Sequence, residues 1–277
     1  SGQGYSPLKV RLGRWRYVAL GGCLLYVAVM MLLPLTFLVI GSFMRRYGFF
    51  HIASPFTLNH WRAMLTDPIF LVALKNSLII ASITAAGGTL LYSALAYLLV
   101  SRRTICAPLL ESLCWIPHVL PGILLSLGVL WLFLATPLRF IFYGSVWGIA
   151  CALILADSPV TTQAFKAGLL QLGADLEESA RVSGASWACT YRRILLPLLA
   201  PIAAAVGLMN FGGALTNIST PVLLYSHQSR PLAILLLEYS FTGELERAAA
   251  LGLLMTLIVG AMMLIGRKLG LQLAGSD

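Results

Sequence analysis

The chain has 277 residues, of which 59% are hydrophobic and only 10% charged, with a mean hydropathy of +0.87. A soluble domain carries about a quarter charged residues, so an ordinary soluble fold is excluded and a polytopic membrane protein is left. The formal charge of +9 does not indicate nucleic-acid binding, because the basic residues lie between apolar runs, where the positive-inside rule places them.

Lipid leaves backbone groups only two solutions, helices or a closed barrel. The apolar runs are continuous rather than alternating, which selects an all-α membrane protein. Six spans are expected, at about Tyr17–Ser42, Leu71–Val100, Leu109–Ala135, Ile141–Ala156, Ile194–Ile218 and Ala248–Ile265. With the N-terminus inside, twelve Lys and Arg fall on the inner side, among them Lys9, Arg11, Arg14, Arg16, Arg102, Arg103, Lys166 and Arg181. Seven fall outside, including the pair Arg45–Arg46. The bias puts both termini inside. The chain opens Ser-Gly-Gln-Gly without Met, and its first apolar run is too long for a cleavable signal peptide. A trimmed start or a longer parent polypeptide is expected.

Between the first two spans, "FTLNHWRAMLTDPIF" reads as a short surface helix, with Thr57 as cap and Trp61 and Leu65 on one face. The segment from Thr220 to Arg247 is long and partly apolar, and is expected to dip back toward the membrane. Cys23, Cys106, Cys114, Cys151 and Cys189 form no CxxC pair and read as small packing residues. His51, His60, His118 and His227 have no ligand partner at i+4, so no metal site is expected.

The segment between the fourth and fifth spans is unlike the rest. Asp157-Ser-Pro159 looks like a helix start, so the fourth span is expected to continue, kinked, toward the inner side. Gly173 breaks it. A short helix begins near Ala174, with Asp175, Glu177 and Glu178 in its first turn, and Leu176, Ala180 and Ser183 sharing one face. Gly184 permits a sharp turn or a close backbone approach. A last helix carries Trp187 and Tyr191, which read as packing residues, and then Arg192 and Arg193 at the membrane boundary. A docking surface and an ordinary loop both fit this pattern, although loops of this length are uncommon unless functional.

Glu178-Ser179-Ala180, then Gly184, then Ile194, Leu196 and Pro197 reproduce the spacing E-A-A-x3-G-x9-I-x-L-P, with Ser179 in place of the middle Ala. The chain thereby resembles the permease subunits of binding-protein-dependent, type I ATP-binding-cassette importers. "WIPHVLPGILLSLGVL" and Lys75-Asn76-Ser77 extend the likeness, which covers about Phe56 to Gly266. The resemblance implies a six-helix importer permease fold with a cytoplasmic coupling helix between spans four and five. It implies a cytoplasmic lead-in at 1–16, an extra N-terminal transmembrane helix at 17–42, an extracytoplasmic segment at 43–70, a permease core at 71–270 with its coupling loop at about 158–193, and a cytoplasmic tail at 271–277. Glu178, Ser179, Ala180, Arg181, Gly184 and Ala185 would then dock on the ATPase. Ile194, Leu196 and Pro197 would join the lever to the fifth span, and Pro121, Gly122, Asn210, Phe211 and Asn217 would line the path.

The implied partners are two ATPase subunits carrying ATP and Mg, a second permease half, an extracytoplasmic substrate-binding protein and membrane lipid. The chain itself would bind no cofactor and no nucleic acid, and it has no G-x-x-x-x-G-K-[ST] loop. The lead-in "RLGRWRY" is most similar to ferric-iron importer permeases; polyamine and inorganic-anion permeases share the same motifs. An ion-driven secondary transporter is the alternative, but no internal repeat or mid-span ion pair is apparent. A membrane enzyme would need a reactive cluster at one depth, and none is apparent.

Overall fold

The structure is a computed structural model that describes residues 13–48, 51, 54–101, 107–172 and 175–274. The lead-in to residue 12, Arg102, Arg103, Cys106, Gly173, Ala174 and the tail from 275 lie outside the described residues, as does the Arg181 side chain. All the regular structure described is helical, apart from one antiparallel bridge between Met44 and Phe56.

The first span is one helix from Trp15 to Phe43, in which α1 (Trp15–Val27) and α2 (Leu33–Phe43) join through a π turn at Ala28–Leu32. It is exposed along most of its length and buries only Gly41 and Ser42, near its end. The segment after it folds back through Arg45 N–H to Pro55 O (2.7 Å) and Thr57 N–H to Phe43 O (2.6 Å). Helix α3 (Asn59–Thr66) follows, and Thr57 Oγ1 accepts from Asn59 N–H at 3.2 Å, as a capping hydroxyl should. Trp61 stacks on Phe43 at 5.9 Å and Met64 is buried, whereas Leu65 is 49% exposed. The inward pair is therefore i, i+3 rather than the expected i, i+4.

Helix α4 (Pro68–Ser101) is the central post. The third expected span is broken: α5 (Ala107–Val119) and α6 (Gly122–Ala135) meet at 111°. Pro121 disfavours helical backbone at Leu120, and is itself extended at ψ 135. Gly122 then presses on the 219–220 turn, where a Cβ would stand 2.8 Å from Ser219 Cβ. The fourth span starts later than Ile141. A short α7 (Arg139–Phe142) ends in a turn at Gly144 (φ +63), and α8 (Val146–Ala156) begins beyond it, capped by Ser145 Oγ accepting from Gly148 N–H. It continues after a 56° kink at Asp157 into α9 (Ser158–Leu172), as the Asp-Ser-Pro signal suggested.

Next come α10 (Asp175–Val182), α11 (Trp187–Thr190), a π turn at Tyr191–Leu195, α12 (Leu196–Leu198) and α13 (Ala200–Thr216). The helical run from Trp187 to Leu198 meets α13 at 75°, so the apolar run expected from Ile194 is bent at Leu199 rather than continuous. A 3-10 turn at Pro221–Leu223 leads to α14 (Leu232–Phe241), an apolar helix of 10 residues, and α15 (Leu245–Ala274) closes the chain. At 1.5 Å rise per residue, α14 is too short to cross a membrane. It is buried through Leu232, Ala233, Ile234, Leu235 and Tyr239. The connection before it is tied to α4: Asn76 Nδ2 donates to Gln228 O (2.7 Å) and Arg230 O (3.2 Å), and Ser77 Oγ accepts from Leu232 N–H (2.7 Å).

Among the described residues, three helices are long and apolar enough to cross a membrane alone, and counting each bent pair as one span gives up to six. The main core gathers Phe70, Ala73, Ile80, Ile149, Leu153, Leu215, Leu232 and Leu251. A second, smaller core joins Ala96, Tyr97, Phe165, Leu169, Leu195, Leu199 and Val206, and the loop between spans four and five rests on it.

Candidate functional site

Helix α10 is short and polar, and such a helix is marginal alone. Its end is fixed by Gly184, whose φ of +76 is a left-handed conformation that glycine adopts without cost. Ala185 N–H reaches back to Ala180 O (3.0 Å) and Ser183 N–H to Ser179 O (3.1 Å), the first being the long bond of a Schellman ending. A Cβ at Gly184 would meet nothing within 4 Å, so the turn rather than crowding requires glycine in this chain.

The loop is clasped to α4. Tyr97, fully buried, stacks on Trp187 at 5.8 Å and on Tyr191 at 5.5 Å, and those two rings lie 6.2 Å apart. Tyr97 Oη donates to Glu177 Oε1 (3.2 Å), and the Tyr191 hydroxyl bonds Ser93 Oγ (2.7 Å). Offset aromatic pairs contribute about 0.5–1.5 kcal/mol each beyond burial, so the clasp joins both ends of the loop to one helix. Trp187 and Tyr191 pack as expected; Tyr97 and Ser93 were not singled out in the sequence, and Glu177 was read only as an acidic group in the first turn of α10. Their partners lie 80 to 98 residues away along the chain, which no local pattern reveals.

Glu178, Ser179, Ser183 and Gly184 are exposed, and Val182 is 89% exposed, so these present an outward face. Ala180 is buried and seats the helix rather than facing outward. The expected shared face is therefore split, with Leu176 and Ser183 exposed beside it. Ala185 and Ile194 are half-buried, Leu195 is buried, Leu196 is half-buried and Pro197 is exposed. Proline cannot donate the i−4 bond and its ring crowds that carbonyl; the wider π turn just before it accommodates both effects. Leu199, fully buried, and Pro201 then set the elbow into α13.

The path candidates fall into two groups. Pro121 and Gly122 meet the 217–220 turn, where Asn217 Oδ1 accepts from Thr220 N–H (2.9 Å) and Ser126 Oγ donates to Thr220 O (2.7 Å). Asn210 and Phe211 lie elsewhere, buried in α13, with Asn210 Oδ1 accepting from Thr161 Oγ1 of α9 at 3.2 Å. Phe211 also borders an apolar groove of about 450 Å³ between α4, α13 and α15. An ion pair links α5 to α9: Glu111 Oε1 accepts from Lys166 Nζ (2.7 Å) and from Gln163 Nε2 (2.9 Å). Among the described residues no group of three or more His, Cys, Asp or Glu gathers as a metal site.

Residues 90–270, from within α4 to within α15, match the family described as "Binding-protein-dependent transport system inner membrane component". The chain belongs to that family. It is a multi-pass membrane permease component of an ATP-binding-cassette importer, a transport subunit rather than an enzyme. A probable ABC transporter permease protein, y4fN, of Sinorhizobium fredii is 27% identical over 88% of the permease, which spans only 44% of that relative's length. The molybdate/tungstate transport system permease protein WtpB of Thermococcus kodakarensis is also 27% identical, over 74% of this chain and 82% of its own. Other relatives are named for 2-aminoethylphosphonate, multiple-sugar and sulfate transport systems. In fold, the permease superposes on a chain of a bacterial ABC transporter that imports the polysaccharide alginate. The TM-score is 0.74 at 17% identity, over 94% of this chain and 96% of that one.

Proposed function

We propose that this permease forms one half of a transmembrane path and is driven by separate ATPase subunits through the loop from Asp175 to Pro197. The observation that carries the reading is the clasped loop. It offers an exposed face at Glu178, Ser179 and Gly184, and is bound through Tyr97 to α4 and through Leu199 to α13. A push on that face is passed to two spans at once.

The reading includes two ATPase subunits with their ATP and Mg, a second permease half, an extracytoplasmic binding protein, and both termini on the cytoplasmic side of a bacterial-type inner membrane. Glu178, Ser179, Arg181 and Gly184 carry the docking, and Ala180 and Ala185 hold its shape. Pro121, Gly122 and Asn217 face the path. For the substrate, the lead-in favours ferric iron, whereas the molybdate, tungstate, sulfate and phosphonate names among the relatives favour a small oxyanion. A small oxyanion is the proposed substrate.

The test is a gentle detergent purification of the native complex with mass spectrometry of what accompanies it. A co-purifying P-loop ATPase, lost with Gly184→Asp but kept with Gly184→Asn, which tolerates the left-handed turn without adding a charge, supports docking at that surface. A chain that purifies alone under several mild conditions shifts the reading to an ion-driven transporter. Uptake of labelled molybdate against ferric iron by reconstituted complex then separates the substrates.

A further inference from the structure

The groove beside Phe211 runs along three membrane helices and is left unfilled. Ala85, Ala86 and Thr89 of α4 face Ala203, Ala204 and Gly207 of α13, side chains too short to close it, and about 450 Å³ remains between them and α15. Its two ends differ. α13 and α15 are antiparallel neighbours: Gly212 lies against Val259, and a Cβ at Gly266 would overlap Leu208. The end at Leu90, Ala203 and Gly266 therefore faces the membrane surface that carries the 175–197 loop, because α13 leads in directly from that loop. The other end, at Ala85, Phe211 and Met262, is deep in the spans. Along α13 the groove extends from residue 203 to 211, about 12 Å at the helical rise.

The mouth is basic. Directly after Gly266 come Arg267 and Lys268, both exposed, and neither joins an ion pair among the described residues. Arg192 and Arg193, also exposed, stand on the same side, just before the elbow into α13. No Asp or Glu occurs in α4 or α13, and α15 holds only Glu246, at its far end. We propose that the groove holds one acyl chain of an anionic phospholipid, whose phosphate sits at Arg267 and Lys268. Spread over its length, the volume gives a cross-section of roughly 40 Å², room for a hydrocarbon tail but not for a protein helix some 10 Å across. Long basic side chains at a membrane boundary reach up to headgroup level, and basic pockets between spans suit anionic lipid heads. The chain would prop α13 apart from α4 and α15 on the side where the loop joins it.

The test places the full chain in phosphatidylcholine nanodiscs doped with phosphatidylglycerol that carries a diazirine at the end of one acyl chain. After irradiation, adducts are mapped by peptide mass spectrometry, and phosphatidylcholine with the same diazirine is the matched probe. Each basic residue at the head is worth about fivefold in occupancy, so the anionic probe should label Phe211 and Met262 about fivefold or more above the neutral one. α6, which has no charged residue, should take both probes equally. Arg267→Gln with Lys268→Gln should erase the preference, and Ala204→Phe, which plugs the groove, should erase labelling of Phe211 and Met262 while α6 keeps its own. Equal labelling of Phe211 and Met262 by the two probes in the native chain overturns the proposal, as does labelling that survives Ala204→Phe. The comparison of probes on the native chain needs no variant, so it decides even where Ala204→Phe folds poorly. An Ala204→Cys chain that cross-links to a second copy places protein over the groove and also overturns it.

Discussion

Trp187→Ala tests whether the loop is held by its aromatic clasp. The indole is 43% exposed, so burial contributes only part of its effect, and its two stacked neighbours lie at 5.8 and 6.2 Å. Two pairs at about 0.5–1.5 kcal/mol each give a loss of roughly 1–3 kcal/mol. A central value of ~2 kcal/mol changes a local opening equilibrium by about 30-fold. The assay is hydrogen–deuterium exchange, which reads such local openings directly. Amides of α10 and α11 are expected to exchange about 30-fold faster, while those of α6 and α14 keep their rates. Trp187→Phe, which retains a ring, should lose less than half as much. Unchanged exchange in α10 and α11, or an equal rise in α6, would refute the clasp as the device that holds the loop.

Other perturbations read other parts of the fold. Asn76→Leu leaves the carbonyls of Gln228 and Arg230 without their buried donor; at about 1–3 kcal/mol per stranded group, it should destabilise by about 2–6 kcal/mol in denaturation of the solubilised chain. Gly148→Ala drives a methyl into the Phe142 carbonyl oxygen and beside the Phe133 ring. Overpacking of this kind costs about 1–3 kcal/mol, visible as a lower melting temperature and poorer yield. Ser145→Ala removes the hydroxyl that caps α8, and should cost about 1 kcal/mol with no effect on the exchange rates of α10.

The six apolar runs and the loop between the fourth and fifth were legible because length and composition suffice to mark them. The kink at Asp157 was legible too, in its Asp-Ser-Pro start, but the sharper bends were not, since an apolar run says how much lipid-compatible chain there is and nothing of its direction. Pro121 did carry a signal, as its effect on Leu120 is local. The elbow at Leu199 was also written locally, in Pro197 and Pro201 on either side, but the unbroken apolar sequence concealed it. The aromatic clasp had no local trace: Tyr97 sits in an apolar span and reads as one more lipid-compatible ring. Ala180 shows the same limit. Helical spacing grouped it with Leu176 and Ser183, and only its burial and the Tyr97–Glu177 hydrogen bond show which side of α10 faces in. The segment that holds α14 was expected to dip toward the membrane; its burial in the core and its ties to Asn76 and Ser77 had no local trace.

The 75° elbow between the Trp187–Leu198 run and α13 has a mechanical consequence. Two rigid arms meeting near a right angle at a packed pivot act as a bell crank. A displacement along the first arm becomes mostly a sideways swing at the base of the second, with little motion along the second arm's own axis. Leu199 is that pivot, held fully buried between the arms. A force applied in the plane of the membrane surface would thus tilt α13 rather than push it through the bilayer. No span would have to slide its polar ends into hydrocarbon for the protein to change shape.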